Sequence, residues 1–228
     1  MPSEPPPPPP GTCPFCAIAA SHPPYPPSSV SSGPAVESEA IPASQSSGNH
    51  QSQSHVILST KHVLAFLDIM PLTRGHVLVI PRRHLRNLGD VGVREGKELG
   101  KWLPILSRVV VRTVLGTGTD ERGQERGQWN VVQNNGLRAS QTVPHAHFHI
   151  IPRPPLDSGD NPAKGGWIMF GRGQRDELDD DEAVELVRKL RLELAKEVAR
   201  IKEEEGIDLD ADAEEYPDNP QSRRLERL

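Results

Sequence analysis

The sequence predicts an α+β domain: an antiparallel sheet with one long helix packed on it and a second helix near the C-terminus. Three observations predict it. Short apolar, β-branched runs recur between turn-forming residues from His55 onward. A stretch with three- and four-residue apolar spacing follows them. The resulting order, three strands, a helix and two more strands, suits a sheet covered by a helix on one face.

The first three strands are read from Val56-Ile57-Leu58, Val63-Leu64-Ala65-Phe66-Leu67 and His76-Val77-Leu78-Val79-Ile80, with Pro71 to Gly75 supplying a hairpin-like connection. Leu99, Trp102, Leu103, Leu106, Val110, Thr113 and Val114 then fall on one face of a helix over 93–115. Pro104 conflicts with that helix, because an interior proline costs about 3 kcal/mol. The helix must therefore kink there or begin later. A polar, Gly-rich loop over 116–128 leads to a strand at Trp129-Asn130-Val131-Val132-Gln133, a turn at Asn134-Asn135-Gly136 and a strand over 142–151. Ala183, Val187, Leu190, Leu194, Val198 and Ile201 mark a solvated helix with one sticky face over about 180–205. The acidic run Asp179-Asp180-Asp181-Glu182 at its start complements the helix dipole.

A chain of 228 residues holds one ordinary core plus appendages. With 24 prolines and 4% aromatic residues, the apolar material must be concentrated in part of it. The Pro-rich segment 1–12 and the Ser/Pro/Gly/Gln-rich segment 21–54 bury too little to offset the entropy of ordering them, so both are expected to be disordered. Between them, 13–20 is a short apolar island that makes sense only if it docks on the core. The main domain is expected over 55–154, and a C-terminal extension carrying the last helix over 155–228.

A formal net charge of −5 argues against nucleic acid polymers and anionic membrane surfaces as partners. No apolar run approaches the ~18 residues of a spanning helix. Only two cysteines occur, Cys13 and Cys16, in a metal-clamp or redox spacing. The expectation is a soluble intracellular protein, cytoplasmic or nuclear.

The chemistry concentrates in His145-Ala146-His147-Phe148-His149-Ile150-Ile151. On a strand, alternation would bring all three imidazoles to one face while Ala146, Phe148 and Ile150 enter the core. Imidazole serves near neutrality as nucleophile, proton carrier or metal ligand. The same pattern also suits a plain metal site or an exposed polar face.

This alternation, preceded by Gln141-Thr142-Val143-Pro144 and followed by Pro152-Arg153, resembles the signature of the histidine triad (HIT) family. Phe66-Leu67-Asp68-Ile69 with Pro71, then Gly75-His76-Val77-Leu78-Val79-Ile80-Pro81, then Asn134 and Gly136, stand in the same chain order as similar residues of that family. The resemblance covers Cys13 to Arg153 apart from the Ser-rich insertion, and makes 55–154 a HIT catalytic domain. It implies that His147 attacks the α-phosphorus of a nucleoside phosphate, giving a nucleotidyl-histidine that water hydrolyses. His149 and His145 would hydrogen-bond phosphate oxygens or orient His147.

By the same resemblance Asp68 accepts hydrogen bonds from the ribose hydroxyls, although an aspartate there also suits a turn cap. Asn134 and Gln141 would supply amide donors, Gly136 a close backbone approach, and Thr142 and Ser140 hydroxyls. Ser140 stands where many members have glycine. Cys13 and Cys16, with His84 and His145, would hold a structural Zn²⁺, while the chemical step needs no metal; the alternative is a pair of reduced cysteines. Arg153 could meet a polyphosphate or simply be solvated.

The ending Ile150-Ile151-Pro152-Arg153 and the C-terminal extension resemble the branch that hydrolyses dinucleoside polyphosphates, which is the expected substrate class. Asp68 and the Cys13–Cys16 pair resemble the phosphoramidase branch, which is the alternative. An adenosine-type nucleotide and a homodimer are family expectations. A reading from another class is a non-catalytic nucleotide-binding scaffold whose Pro-rich N-terminus recruits partners.

Overall fold

The computed structural model describes residues 13–29, 54–121, 123–155 and 177–211. The disorder expected over 1–12 and most of 21–54 lies outside the described residues. Five strands, β1 (Val56–Ser59), β2 (Val63–Leu67), β3 (Val77–Pro81), β4 (Trp129–Gln133) and β5 (Phe148–Pro152), form one sheet in the order β1-β2-β3-β5-β4. All neighbours run antiparallel. Three helices complete the α+β fold: α1 (Pro14–Ser21), α2 (Val93–Val114) and α3 (Asp180–Glu205). No described helix is long and apolar enough to cross a membrane.

β1, β2 and β3 are buried along their whole length because both faces of the sheet are covered there. Alternation divides each strand between two cores. Val63, Ala65, Leu67, Val77 and Val79 face α2 and α3, with Trp102, Leu106 and Val110 against them. Leu64, Phe66, Leu78 and Ile80 face α1, where they meet Phe15 and Ala19. The sheet is therefore the middle layer, and α1 is the lid of its second face.

α2 is one continuous helix, so Pro104 neither starts it late nor breaks it. Pro104 and Gly100, whose carbonyl lost its partner, both lie on the solvent side, where that carbonyl is open to water. Leu103, Thr113 and Val114, expected on the core face, are only half-buried; Ile105 and Val109 take the inward positions.

α3 matches its expected range but is more than a solvated helix. Ala183, Leu186, Val187, Leu190, Leu194, Val198 and Ile201 are all buried, which extends the core beyond the 55–154 segment. Its start is capped by the Asp179 carboxylate, which accepts from the Glu182 N–H. Within the α2–α3 seam the buried carboxylate of Glu197 binds Arg112 at 2.6 Å and Arg200 at 2.8 Å, and also contacts Arg108.

The docked N-terminal piece is longer than the 13–20 read from the sequence. Tyr25 is buried, its N–H donates to Ser59 and its hydroxyl donates to the Ile57 carbonyl at 3.0 Å. Arg82 fastens the same stretch by donating to the His22 carbonyl at 2.9 Å. The prolines around Tyr25 masked this contact in a reading by composition.

Candidate active site

The strand expected over 142–151 begins only at Phe148, so His145 and His147 lie in the irregular approach to β5 and His149 lies within it. The three rings do not share one surface as strand alternation implied. His147 and His149 line a cavity of about 840 Å³ with Asp68, Asn134 and Thr142; His145 turns away toward the cysteines. The apolar wall comes from α1, through Pro14, Phe15 and Ile18, and from Phe66 and Leu78 of the sheet.

His147 is buried yet faces this cavity. Its Nδ1 stands 2.6 Å from the His145 carbonyl, which can only accept, so the proton is on Nδ1 and Nε2 keeps its lone pair. Burial holds the imidazole below its ordinary pKa of 6.5, opposed by that backbone bond. The ring is thus neutral near pH 7 with a bare nitrogen, as a nucleophile requires. Phe15 packs edge-on against it with centroids 5.3 Å apart.

His149 is oriented by His76, which the sequence marks as part of a strand and of the Gly75–Pro81 motif but not as a partner of the triad. The Leu72 N–H donates to His76 Nδ1 at 3.1 Å, so His76 carries its proton on Nε2. That nitrogen lies 2.9 Å from His149 Nδ1 and donates to it. His149 consequently holds its own proton on Nε2. Asp68 Oδ2 is 3.4 Å from His76 Nδ1, near enough to balance positive charge reaching that ring. A carboxylate and two imidazoles could hold a metal ion, but here the rings bond directly to one another. The clue in sequence was a fourth histidine after Gly75, whose φ of +79° makes the β2–β3 turn and whose absent Cβ leaves room for Val114.

Asp68 lines the cavity and also caps its own turn, accepting from the Met70 N–H at 2.9 Å. The turn cap is therefore present, and the carboxylate stands at the cavity. Gln141 and Gly136 are placed otherwise than expected: neither lines the cavity. Gln141 is a buried brace, accepting from the Gly136 N–H at 2.7 Å and donating to the Arg86 carbonyl at 2.6 Å. Arg153 also lies outside the cavity lining and donates to Asn130.

Cys13, Cys16, His84 and His145 bring one sulfur or nitrogen each to within 4.8 Å of one another, a group that could hold a metal ion. His145 Nδ1 is 3.5 Å from Cys13 Sγ and 3.6 Å from Cys16 Sγ, and His84 Nδ1 is 3.2 Å from Cys16 Sγ. A tetrahedral zinc with bonds of about 2.3 Å to sulfur and about 2.0–2.1 Å to nitrogen has S···N edges of about 3.5 Å. The donor set fits. His145 Nε2 donates to the Pro81 carbonyl at 2.9 Å, which leaves Nδ1 unprotonated toward the sulfurs. Desolvation lowers the His145 pKa to about 4, so the ring is a neutral donor.

An antiparallel sheet that holds paired histidines in a cleft beside a sulfur–imidazole cluster defines the class. A family model described as the HIT domain matches residues 49–156. An uncharacterized HIT-like protein of Methanocaldococcus jannaschii is 34% identical over 132 residues, 58% of this chain and 88% of its own. An adenosine 5′-monophosphoramidase of Candida albicans is 34% identical over 147 residues, 63% and 84% of the two chains. A bis(5′-nucleosyl)-tetraphosphatase of Schizosaccharomyces pombe is 33% identical over 108 residues, 47% and 54% of the two chains. The chain belongs to the histidine triad family, whose members similar to it include hydrolases of nucleotide phosphoramidate and phosphoanhydride bonds.

Proposed function

We propose that this protein is a nucleotide hydrolase that cleaves at the α-phosphate through a nucleotidyl-His147 intermediate, and that its leaving group is an amine. The observation that carries the mechanism is the opposed protonation of two neighbouring rings, with centroids 4.9 Å apart: a bare nitrogen on His147 and an N–H on His149. His147 Nε2 attacks phosphorus while the His149 Nε2–H hydrogen-bonds a phosphate oxygen; the P–N bond breaks, its electron pair stays on nitrogen, and that nitrogen, protonated by water, leaves as the amine. Water then cleaves the P–N bond to His147, its proton passes to solvent, and the nucleotide is released.

The amine leaving group is favoured by charge. Among the described residues the cavity lining contains no lysine or arginine, whereas a polyphosphate leaving group carries several negative charges. Arg153, read from sequence either as a polyphosphate contact or as a solvated side chain, donates to Asn130. The similar adenosine 5′-monophosphoramidase agrees with this reading, with adenosine as the nucleoside. Asp68 would hold the ribose, with Asn134 and Thr142 contacting the phosphate or leaving group. Dinucleoside polyphosphates are the second reading, supported by the similar tetraphosphatase.

Cys13, Cys16, His84 and His145 would hold a structural Zn²⁺, which keeps α1, and with it Phe15 and Ile18, against the cavity.

Purified protein is incubated with adenosine 5′-phosphoramidate and with diadenosine tri- and tetraphosphate, with His147→Ala as control. AMP from the phosphoramidate, a loss on the order of 10³-fold or more in kcat for His147→Ala, and retained AMP binding are expected. Nucleotide binding without release of AMP from any substrate would put the scaffold reading in its place.

A further inference from the structure

Ser140 sits in a conformation that serine rarely adopts. It follows the short 3-10 turn Leu137–Ala139 with φ 65° and ψ 25°, and among the described residues it is the one non-glycine at positive φ. In that region Cβ crowds the following carbonyl, a cost glycine does not bear. Strained residues persist where the surroundings fix them, and they cluster at sites that use them. The Ser140 N–H donates to the Leu137 carbonyl at 3.0 Å, a bond that any residue could make. Its hydroxyl bonds to no other described residue, and Ser140 is among the residues that line the cavity.

Sheet order tells which part of a substrate that hydroxyl meets. In the order β2-β3-β5-β4, the histidines belong to β5 and its approach. Asp68 follows β2, and α1 packs on that strand through Phe15 and Phe66, centroids 5.4 Å apart. Asn134, Ser140 and Thr142 lie in the β4–β5 connection, on the other side of the histidines. With the ribose at Asp68 and phosphorus at His147, the group leaving phosphorus points toward the β4 side. There it meets an amide and two hydroxyls, and no cation among the described lining residues.

We propose that Ser140 is a specificity-determining residue whose hydroxyl hydrogen-bonds the leaving amine, so that the site selects amines bearing a carboxylate or hydroxyl over apolar amines of equal shape. The inference rests on the phosphoramidate reading above. A site that hydrogen-bonds a substrate group discriminates against the analogue lacking it, because its own polar groups then go unpaired.

The test compares two AMP amides of matched shape, one of 3-aminopropanoate and one of 3-methylbutylamine, with wild type, Ser140→Gly and Ser140→Ala. Wild type is expected to prefer the carboxylate-bearing amide in kcat/KM, and both variants to lose that preference by about threefold to tenfold, the worth of one hydrogen bond. Thermal melting separates the hydroxyl from the strain. Ser140→Gly is expected to raise Tm by about 2–4 °C by relieving positive φ, while Ser140→Ala keeps the strain and the wild-type Tm. Loss of preference in both variants, although only Ser140→Gly raises Tm, supports a binding role for the hydroxyl. Release of AMP with an unchanged preference in both variants overturns the assignment of Ser140 alone. Release of AMP from neither amide by wild type overturns the hydrolase reading and this inference together.

Discussion

His76 Nε2 lies 2.9 Å from His149 Nδ1, and this bond settles which end of His149 carries a proton into the cavity. The direction of the chain is set from outside the triad, since the Leu72 N–H can only donate. On the proposed mechanism His76 is a positioning residue.

Replacing His76 with alanine is expected to lower kcat about tenfold to a hundredfold with little change in KM, less than the loss of a whole transition-state hydrogen-bond donor. His76→Gln places an amide N–H near the lost Nε2 and is expected to recover part of that rate. A fall in Tm with kcat unchanged in both variants would make His76 a packing residue only.

Proton uptake by the buried rings gives the site an acid limit. On the proposed mechanism His147 must be neutral to attack, and burial lowers its pKa below 6.5, so kcat/KM is expected to hold at pH 6.5 and decline as pH falls through the lowered value. For stability the sign is the same. His145 is neutral when folded, with a pKa of about 4, and ordinary when unfolded, at 6.5. Unfolding therefore takes up a proton between those values; stability is full above pH 6.5 and falls as pH drops toward 4. A Tm series on chelated protein across that window, beside a pH–rate profile, checks both.

Metal removal should act on substrate binding as well as on stability, because α1 carries both Cys16 and the apolar wall residues Phe15 and Ile18. Chelation of zinc is expected to lower Tm and to weaken AMP binding about tenfold, roughly 1.4 kcal/mol. Cys16→Ser should show low zinc content by elemental analysis and a Tm indifferent to chelator. A Tm unmoved by chelation in wild type would reduce the cluster to a pair of cysteine thiols beside two histidines.

At the α2–α3 seam, Glu197→Gln removes the carboxylate shared by Arg108, Arg112 and Arg200. The loss is expected to be about 1–3 kcal/mol, below that of a fully buried pair, because the three guanidinium groups remain partly hydrated. Hydrogen bonds from the arginines, Arg200 first, hold the Glu197 pKa at about 2 against an ordinary 4.5. The carboxylate therefore stabilises fully above pH 4.5, and the difference between wild type and variant should vanish as pH falls toward 2. Urea melts at pH 7 and pH 3 measure it.

Local pattern was enough for β1 to β4, α2 and α3, since apolar spacing records which faces are covered; it started the last strand six residues early and did not show α1 as a helix. Val63 to Leu67 reads as a strand because both its faces are buried, and Ala183 to Ile201 reads as a helix because one stripe is. The triad, the cysteine pair and the family they indicate were equally legible, being short motifs whose chemistry is written in consecutive residues. Tertiary structure alone decided the division of labour among them. His145 and His147 are two residues apart, yet one meets Cys13, 132 positions away, and the other opens on the cavity. Strand alternation could not foresee this, because the backbone there is irregular and not governed by a period of two. Gln141 as a brace, Tyr25 as an anchor and His76 as the partner of His149 were hidden for the same physical reason: each role depends on a contact between segments far apart in the chain, and local periodicity carries no information about which distant segment will arrive.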